Sequence, residues 1–190
     1  MTRDLMFKDE TQQLVADAYE RLERPDGPGA GFYDPEQLEA LPEDARAWML
    51  GVGNPLPHAD LRSGEVVIDL GCGAGIDTML AADAVGPEGR AIGVDMLPAM
   101  VERARGFAAE AGIDNASFVT AEMEDLPLPD GSADVVLSNG SINLSARKSR
   151  VLAEAFRVLR PGGRLTVADL TLDEEELPAQ VLTHPSAWAG

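Results

Sequence analysis

The chain has 190 residues, enough for one domain with a substantial core, and its 45% hydrophobic and 25% charged residues are typical of a globular protein. Its net charge of −18 argues against nucleic acid as a substrate or partner, because phosphates would be repelled at long range. A single cysteine excludes an internal disulfide, and two histidines leave no cluster suited to a metal ion. No stretch is apolar enough to span a membrane, and Met1–Glu10 lack the apolar centre of a signal peptide. We therefore expect a cytoplasmic protein with no metal and no membrane partner.

The first 60 residues are predicted to form a helical cap. Apolar side chains spaced as on one face of a helix occur before residue 24, and they are Leu14, Val15, Ala18, Tyr19 and Leu22. Proline and glycine predict a flexible loop over 25–31, short helices near Pro35 and over 43–49, and a second loop over 51–57. Because the second loop lies just before an apolar strand, we expect residues 1–60 to cover the carboxyl edge of a sheet.

Residues 66–75, with the sequence Val-Val-Ile-Asp-Leu-Gly-Cys-Gly-Ala-Gly, predict a buried strand that leads into a tight turn and then a helix. Gly71, Gly73 and Gly75 lack a Cβ, so the backbone can turn sharply and lie against a ligand. Asp69 ends the strand, where its carboxylate can accept a hydrogen bond from a ligand ammonium or amide. The pattern indicates a bound nucleoside, and a glycine turn with no ligand is the alternative.

The rest of the core alternates strand and helix. Strands are predicted over 66–70, 91–95, 117–120, 134–138 and 164–169, with helices over 98–111 and 147–159. Such alternation predicts an α/β fold with a parallel sheet, which binds ligands at the carboxyl ends of its strands. The core is expected to span residues 61–172. Residues 173–190 form an acidic tail in which no strand is predicted.

The spacing of the glycines narrows the choice of nucleoside. The dinucleotide fingerprint requires its third glycine at position 76, which is occupied by Ile76. A second predicted strand ends in Asp95, twenty residues beyond Gly75, where a carboxylate can accept both ribose hydroxyls. An acid followed by alternating glycines resembles motif I of the class I S-adenosylmethionine (SAM) methyltransferases. The resemblance implies SAM as cofactor and a Rossmann-like sheet.

A closer resemblance, from about Tyr33 to Gly190, is to the arsenite methyltransferases. It is carried by the segments 51–55, 93–96, 121–129, 137–145 and 156–163, of which Gly-Asn-Pro at 53–55 and Ser-Asn-x-x-x-Asn-Leu at 138–144 are the most specific. The resemblance implies that residues of the turn, of the next two strand ends and of the cap loop bind the cofactor. These residues are Asp69, Gly71, Gly73, Gly75, Asp95, Met96, Glu122, Met123, Ser138, Asn139, Gly53 and Asn54.

The class I sheet usually has seven strands, the last two forming a hairpin beside strand five, so the resemblance implies a sheet truncated after its fifth strand. An uncovered fifth strand would expose an unpaired edge. We therefore expect a second chain, in a homo- or hetero-oligomer, or the C-terminal tail to cover this edge.

Three departures from the arsenite family concern its arsenic-binding cysteines. The family places one cysteine where this chain has Gly140, another directly after Gly190, and in some relatives one at the position of Val52. Only Cys72 remains, and its place within the glycine turn indicates a packed residue. One thiol cannot form a two- or three-thiolate arsenic site. The expected acceptor is therefore a small organic molecule rather than arsenite.

The sequence does not identify a catalytic residue. His58 and His184 are candidate bases, although His58 is more simply interpreted as an ordinary surface residue. Tyr19 and Tyr33 of the cap could form a hydrogen bond with an acceptor. Two other functions stay open. One is a SAM-binding regulatory or partner-dependent subunit, and the other is an enzyme that uses SAM for chemistry other than methylation.

Overall fold

The computed structural model describes residues 3–23 and 25–171, and its centre is a parallel sheet of five strands in the order β3-β2-β1-β4-β5. The strands are β1 (Val66–Leu70), β2 (Arg90–Asp95), β3 (Ala116–Thr120), β4 (Ala133–Asn139) and β5 (Leu159–Ala168). The chain order reverses between β1 and β4, and this switch point leaves a crevice at the carboxyl ends of the strands. The predicted α/β parallel sheet is confirmed.

The helices are α1 (Arg3–Glu20), α2 (Pro35–Glu39), α3 (Glu43–Arg46), α4 (Ile76–Val85), α5 (Pro98–Ala111) and α6 (Lys148–Val158). Short 3-10 helices occupy Pro28–Phe32, Leu56–His58 and Ile142–Leu144. Proline at the first turn and Gly112 in the left-handed conformation delimit α5, as the sequence predicts. No helix within the described ranges is long and apolar enough to cross a membrane.

Helices cover both faces of the sheet, and alternate residues of its central strands are therefore buried on opposite sides. Val67 of β1 packs in a cluster with Ala81 and Val85 of α4. Its neighbour Ile68 packs in another cluster with Val151 of α6. Strands that are buried on both faces require continuous apolar runs, and Val66–Leu70 is such a run except for Asp69. That exception marks the site.

The N-terminal segment shares its core with the sheet layers. Tyr33, Leu41 and Met49 are buried in one cluster with Met79 of α4 and Val101 of α5. The loop predicted over 25–31 contains most of the 3-10 helix Pro28–Phe32. Gly29 of this helix lies so close to the segment after α3 that an ideal Cβ would be 2.6 Å from the carbonyl oxygen of Gly51. The cap is therefore packed directly against the core.

The last predicted helix and strand meet earlier than expected. α6 ends at Val158, and β5 begins at Leu159 rather than at residue 164. The pairing of β5 with β4 changes register between Ala133 and Val135, and Pro161 lies in this irregular stretch. Proline is tolerated there because β5 is an edge of the sheet in the described part of the chain. The predictions for residues 173–190, including His184 and the missing hairpin, lie outside the described residues.

Candidate functional site

A cleft of about 1100 Å³, counting the space open to solvent, lies at the switch point between β1 and β4. The turn after β1 forms its floor together with the ends of β2 and β4. Gln12, Val15 and Tyr19 of α1 line it from the cap side, as do residues 48–51. A concave site at the carboxyl ends of parallel strands is where this architecture binds its ligand.

The turn requires glycine at two positions for packing reasons. Gly71 has a φ of +70°, and a Cβ there would overlap the side chain of Ser141, whose hydroxyl donates to the Leu70 carbonyl at 2.6 Å. Gly75 has a φ of +83°, and its Cβ would lie 2.7 Å from the Phe118 ring. Gly73 differs, because no atom lies within 4 Å of its ideal Cβ. Gly73 therefore faces open space in the cleft, where a ligand can approach the backbone.

Asp69 lies at the floor of the cleft with only 2% of its surface exposed. The Thr78 hydroxyl donates to its Oδ2 at 2.6 Å. Burial and the nearby negative charge of Asp77 raise the pKa of the Asp69 carboxyl. The carboxylate has no cationic partner among the described residues that line the cleft, so a cationic ligand group would stabilise it.

Asp95 fixes the turn to the end of β2. Its two carboxylate oxygens accept hydrogen bonds from the backbone N–H groups of Gly73 and Leu97, each at 2.9 Å. Burial raises the pKa of the Asp95 carboxyl, and these two N–H donors partly oppose the rise. Each oxygen retains a lone pair for a ligand hydroxyl, and Asp95 lines the cleft as the sequence predicts.

A second buried carboxylate, Asp77, lies in the first turn of α4. The Tyr33 hydroxyl donates to Asp77 Oδ1 at 2.7 Å, and Asn139 Nδ2 donates to Asp77 Oδ2 at 3.0 Å. Asn139 Nδ2 also lies 3.0 Å from the Tyr33 oxygen, so the three side chains form a closed network between cap and sheet. Burial raises the pKa of Asp77, while the two donors act against the rise.

Asn139 also holds the cap loop in place. Its Oδ1 accepts from the N–H groups of Val52 at 2.9 Å and Gly53 at 3.2 Å, and its Nδ2 lies 2.8 Å from the Gly53 carbonyl oxygen. A Cβ on Gly51 would overlap the Asn139 side chain. Asn139 is therefore the residue of β4 around which the loop closes.

Most of the predicted site residues lie together. Eight of the twelve line the cleft, and they are Asp69, Gly71, Gly73, Asp95, Met96, Glu122, Met123 and Asn139. Gly75, Ser138, Gly53 and Asn54 are not among the lining residues. Ser138 is buried with its hydroxyl 2.8 Å from that of Ser141, and Asn54 Nδ2 donates to Gln37 at 3.0 Å. The assignment of all twelve residues to the cofactor stays a prediction.

The lining residues that were not anticipated from the sequence include Asp77, Glu124 and Trp48. An acid in the first turn of a helix, such as Asp77, is ordinary because it complements the helix dipole. Glu124 is 6% exposed and accepts from the Ser145 hydroxyl at 2.6 Å, but it is one of several acids in the segment 122–125. Trp48 is buried in the cap, and the Arg103 guanidinium lies 3.5 Å from the centre of its ring. No sequence pattern indicates that an apolar residue in a loop contacts an arginine of a distant helix.

The cleft is acidic throughout its described lining. Asp69, Asp77, Asp95, Glu122 and Glu124 contribute carboxylates, and no lysine, arginine or histidine of the described chain lines it. No group of three or more metal-binding side chains occurs in the described ranges. This donor set fits a nucleoside that carries an ammonium and a sulfonium, because both need negative counter-charges.

The other candidates from the sequence have ordinary surroundings. Cys72 borders the cleft but is only 9% exposed, and burial raises the pKa of its thiol well above the usual value, in agreement with a packed residue. His58 is exposed at the end of a 3-10 helix and does not line the cleft. Gly140 and Val52 lie side by side, since an ideal Cβ on Gly140 would be 3.3 Å from Val52 Cγ1.

A family model described as a methyltransferase domain matches residues 61–189. An arsenite methyltransferase of Halobacterium salinarum is 41% identical over 158 residues, which cover 83% of this chain and 40% of that protein. A ubiquinone/menaquinone biosynthesis C-methyltransferase of Marinomonas is 36% identical over 127 residues, which cover 66% of this chain and 51% of that protein.

A crystal structure of an arsenic(III) SAM methyltransferase from Chlamydomonas reinhardtii aligns with a TM-score of 0.71 at 39% identity, over 84% of this chain and 54% of that one. The chain thus spans about half, or less, of the length of these proteins.

Proposed function

Because this chain belongs to the methyltransferase domain family, whose cofactor is SAM, we propose that it transfers a methyl group to a small organic acceptor without negative charge. The observation that carries the proposal is the acidic cleft at the switch point, which provides carboxylates and no basic side chain among its described lining residues. When bound, SAM supplies an electrophilic methyl group on a positively charged sulfur. The protein's task is then to orient the two reactants and exclude water.

We propose that the turn and the neighbouring strand ends bind the cofactor. Asp69 would accept from the ammonium, and Asp95 would accept from the ribose hydroxyls with lone pairs that its two backbone N–H partners leave free. Gly73 would allow the backbone to approach, since nothing occupies the space beyond it. Met96, Glu122 and Met123 would surround the adenine. Gly53 and Asn54 would act indirectly, through Asn139 and Gln37.

The acceptor is proposed to be an organic molecule rather than arsenite. Gly140, where the arsenite methyltransferases carry a cysteine, adjoins Val52, where some relatives carry another, and neither residue provides a thiol. Cys72 packs close to Gly93 and has a raised thiol pKa, so it is poorly suited to bind arsenic. Carboxylates in the cleft would disfavour an acceptor that adds a phosphate or a further carboxylate to the one that the cofactor carries.

Calorimetry with SAM and the full chain tests the cofactor assignment. We expect binding that Asp95→Asn weakens at least tenfold and that Asp83→Asn, an exposed change on α4, leaves unaltered. Absence of SAM binding by the folded wild-type chain would refute the proposal.

Incubation with methyl-labelled SAM tests the reaction and the acceptor. Mass analysis should show the label on a neutral phenol or quinol and not on arsenite supplied with glutathione. Methylated arsenic would contradict the acceptor assignment. Transfer of the unlabelled part of the cofactor would contradict methylation.

We further propose that a second chain contacts the β5 edge. Phe156 and Leu152 of α6 are 81% and 46% exposed, and Leu165 and Val167 of β5 are 40% and 42% exposed. Apolar side chains beside an open strand edge are typical of an interface. Sedimentation should show an oligomer that Phe156→Glu dissociates. A monomer that stays monomeric at high concentration would exclude self-association through this surface.

A further inference from the structure

Asp77 is buried in the cleft, but the proposed contacts of the cofactor do not explain it. It is 8% exposed and lies in the first turn of α4, beside the turn that ends with Gly75. Its hydrogen-bond donors, the Tyr33 hydroxyl and the Asn139 amide, are both neutral. Neutral donors hold a carboxylate in a fixed orientation without cancelling its charge. Its negative charge therefore acts on whatever occupies the cleft.

The surroundings of Asp77 increase the effect of this charge. Asp69 of β1 is close enough that the negative charge of Asp77 raises its pKa, and the neutral Thr78 hydroxyl is its side-chain donor. Asp95 of β2 contributes a third, half-buried carboxylate to the cleft. Within the described lining no basic side chain opposes these charges. In a site shielded from water such a cluster favours a ligand with more than one positive charge.

The cofactor and its product differ by one such charge. Both have the same ammonium, carboxylate, ribose and adenine, so Asp69 and Asp95 would contact groups common to the two molecules. The sulfur is a cationic sulfonium in SAM and a neutral thioether in S-adenosylhomocysteine. A carboxylate that contacts neither the ammonium nor the ribose can therefore discriminate between SAM and S-adenosylhomocysteine through its charge alone.

We propose that Asp77 is a specificity residue that makes the cleft bind the sulfonium cofactor in preference to the thioether product. This inference rests on the proposed function. The orienting network of Tyr33 and Asn139 places the carboxylate, and the charge of Asp77 provides the discrimination. The consequence is easier exchange of spent for fresh cofactor, because loss of the positive charge weakens the attraction to Asp77.

Calorimetry with three ligands tests the inference without an acceptor. They are SAM, S-adenosylhomocysteine, and sinefungin, which carries an amine in place of the methylated sulfur. In Asp77→Asn we expect the preference for SAM over S-adenosylhomocysteine to fall on the order of tenfold, the size of a partly screened charge interaction. Sinefungin should lose affinity as SAM does. Asp83→Asn, the same change on the exposed face of α4, should preserve the preference.

The Tyr33→Phe variant tests the hydrogen-bond network around Asp77 without changing the charge of Asp77. It removes a hydrogen bond to Asp77 and leaves the negative charge, so it should weaken all three ligands by similar factors and keep the preference. An Asp77→Asn variant that loses affinity for SAM and S-adenosylhomocysteine equally would overturn the inference while leaving the proposed function intact. A wild-type chain that binds none of the three ligands would refute both.

If Asp77→Asn does not fold, the wild-type chain provides the test. The groups that face Asp77 are Tyr33 from the cap, Asp69 from β1 and the uncharged Asn139 from β4. Burial raises the pKa of Asp77, so this carboxyl takes up a proton at a higher pH than an exposed one, and the preference for SAM should decrease as the pH falls. A preference that stays constant from neutral pH down to the ordinary pKa of a carboxyl would overturn the inference.

Discussion

Two walls of the cleft are constructed differently. The turn wall, consisting of residues 69–75 with Asp95, is almost continuous in sequence, and backbone N–H groups hold its second carboxylate in place. The cap wall, consisting of Tyr33, Trp48 and residues 51–53, is fixed by side chains that are distant in sequence, above all Asn139. The difference indicates that the turn wall is a local property of the chain, whereas the cap wall depends on the completed fold.

Gly71→Ala should have the largest effect, because it changes the turn wall itself. A side chain at φ +70° is strained, and this one would also overlap Ser141. We expect a loss of roughly 3 kcal/mol in the free energy of unfolding, and SAM affinity too weak for calorimetry. Gly106→Ala on α5, where nothing lies within 4 Å, should instead stabilise the protein slightly. Unaltered SAM binding by Gly71→Ala would show that the turn wall tolerates a side chain.

Asn139→Ala should disrupt the cap wall and leave the turn wall largely intact. It removes the hydrogen bonds to Val52, Gly53 and Asp77, and we expect a loss of roughly 2 kcal/mol in the free energy of unfolding. Hydrogen exchange should accelerate in residues 27–54 and not in 66–75. Asn143→Ala, which removes a bond to the Leu170 carbonyl, is the control. Equal acceleration in both segments would contradict independent walls.

The pH dependence of SAM binding should depend on the carboxylates of the turn wall and on Asp77, which bonds to Tyr33 of the cap wall. Burial raises the pKa of Asp69, Asp77 and Asp95, so these groups take up protons at a higher pH than exposed carboxyls. A protonated carboxyl does not pair with an ammonium, and burial raises the pKa of Asp69 to about 8, so affinity should fall as the pH decreases below about 8, approaching tenfold per unit for one titrating group. Asp77→Asn should move the decline to lower pH, because it removes a charge that raises the Asp69 pKa. Calorimetry that shows a decline only near the ordinary carboxyl pKa would contradict this prediction.

Arg103→Met should have the smallest effect, since it alters only the support of the cap wall. The guanidinium lies over Trp48, and such a contact contributes about 0.5–1 kcal/mol at a partly exposed site. We expect a severalfold loss of SAM affinity and a shift in Trp48 fluorescence, measured with Trp188→Phe so that one tryptophan remains. Arg105→Met on the same helix, whose guanidinium bonds Phe118 instead, should not shift the emission.

The fold was largely predictable because short strand patterns alternate with helix patterns along the core of the chain. Residues 66–70 and α5 match their predicted bounds, since β-branched residues, Pro98 and Gly112 act locally. The start of β5 was not predictable, because Pro161-Gly-Gly163 signals a break, and only pairing with β4 makes it part of a strand. From their distance to the turn, Asp69 and Asp95 could be predicted to line the cleft. Asp77 could not, because an acid at a helix start is common.

The sequence by itself determined the turn and its glycines, because backbone conformation there is set by residues close to one another, and the resemblance of the turn to motif I of the class I methyltransferases implied the cofactor. Only the tertiary structure decided that Asn139 joins Tyr33 to Asp77 and that Val52 adjoins Gly140. These contacts link residues that are 44 to 106 positions apart in the sequence. A side chain that bonds several distant groups does not produce a periodic or compositional pattern in the sequence, so such contacts could not be predicted from it.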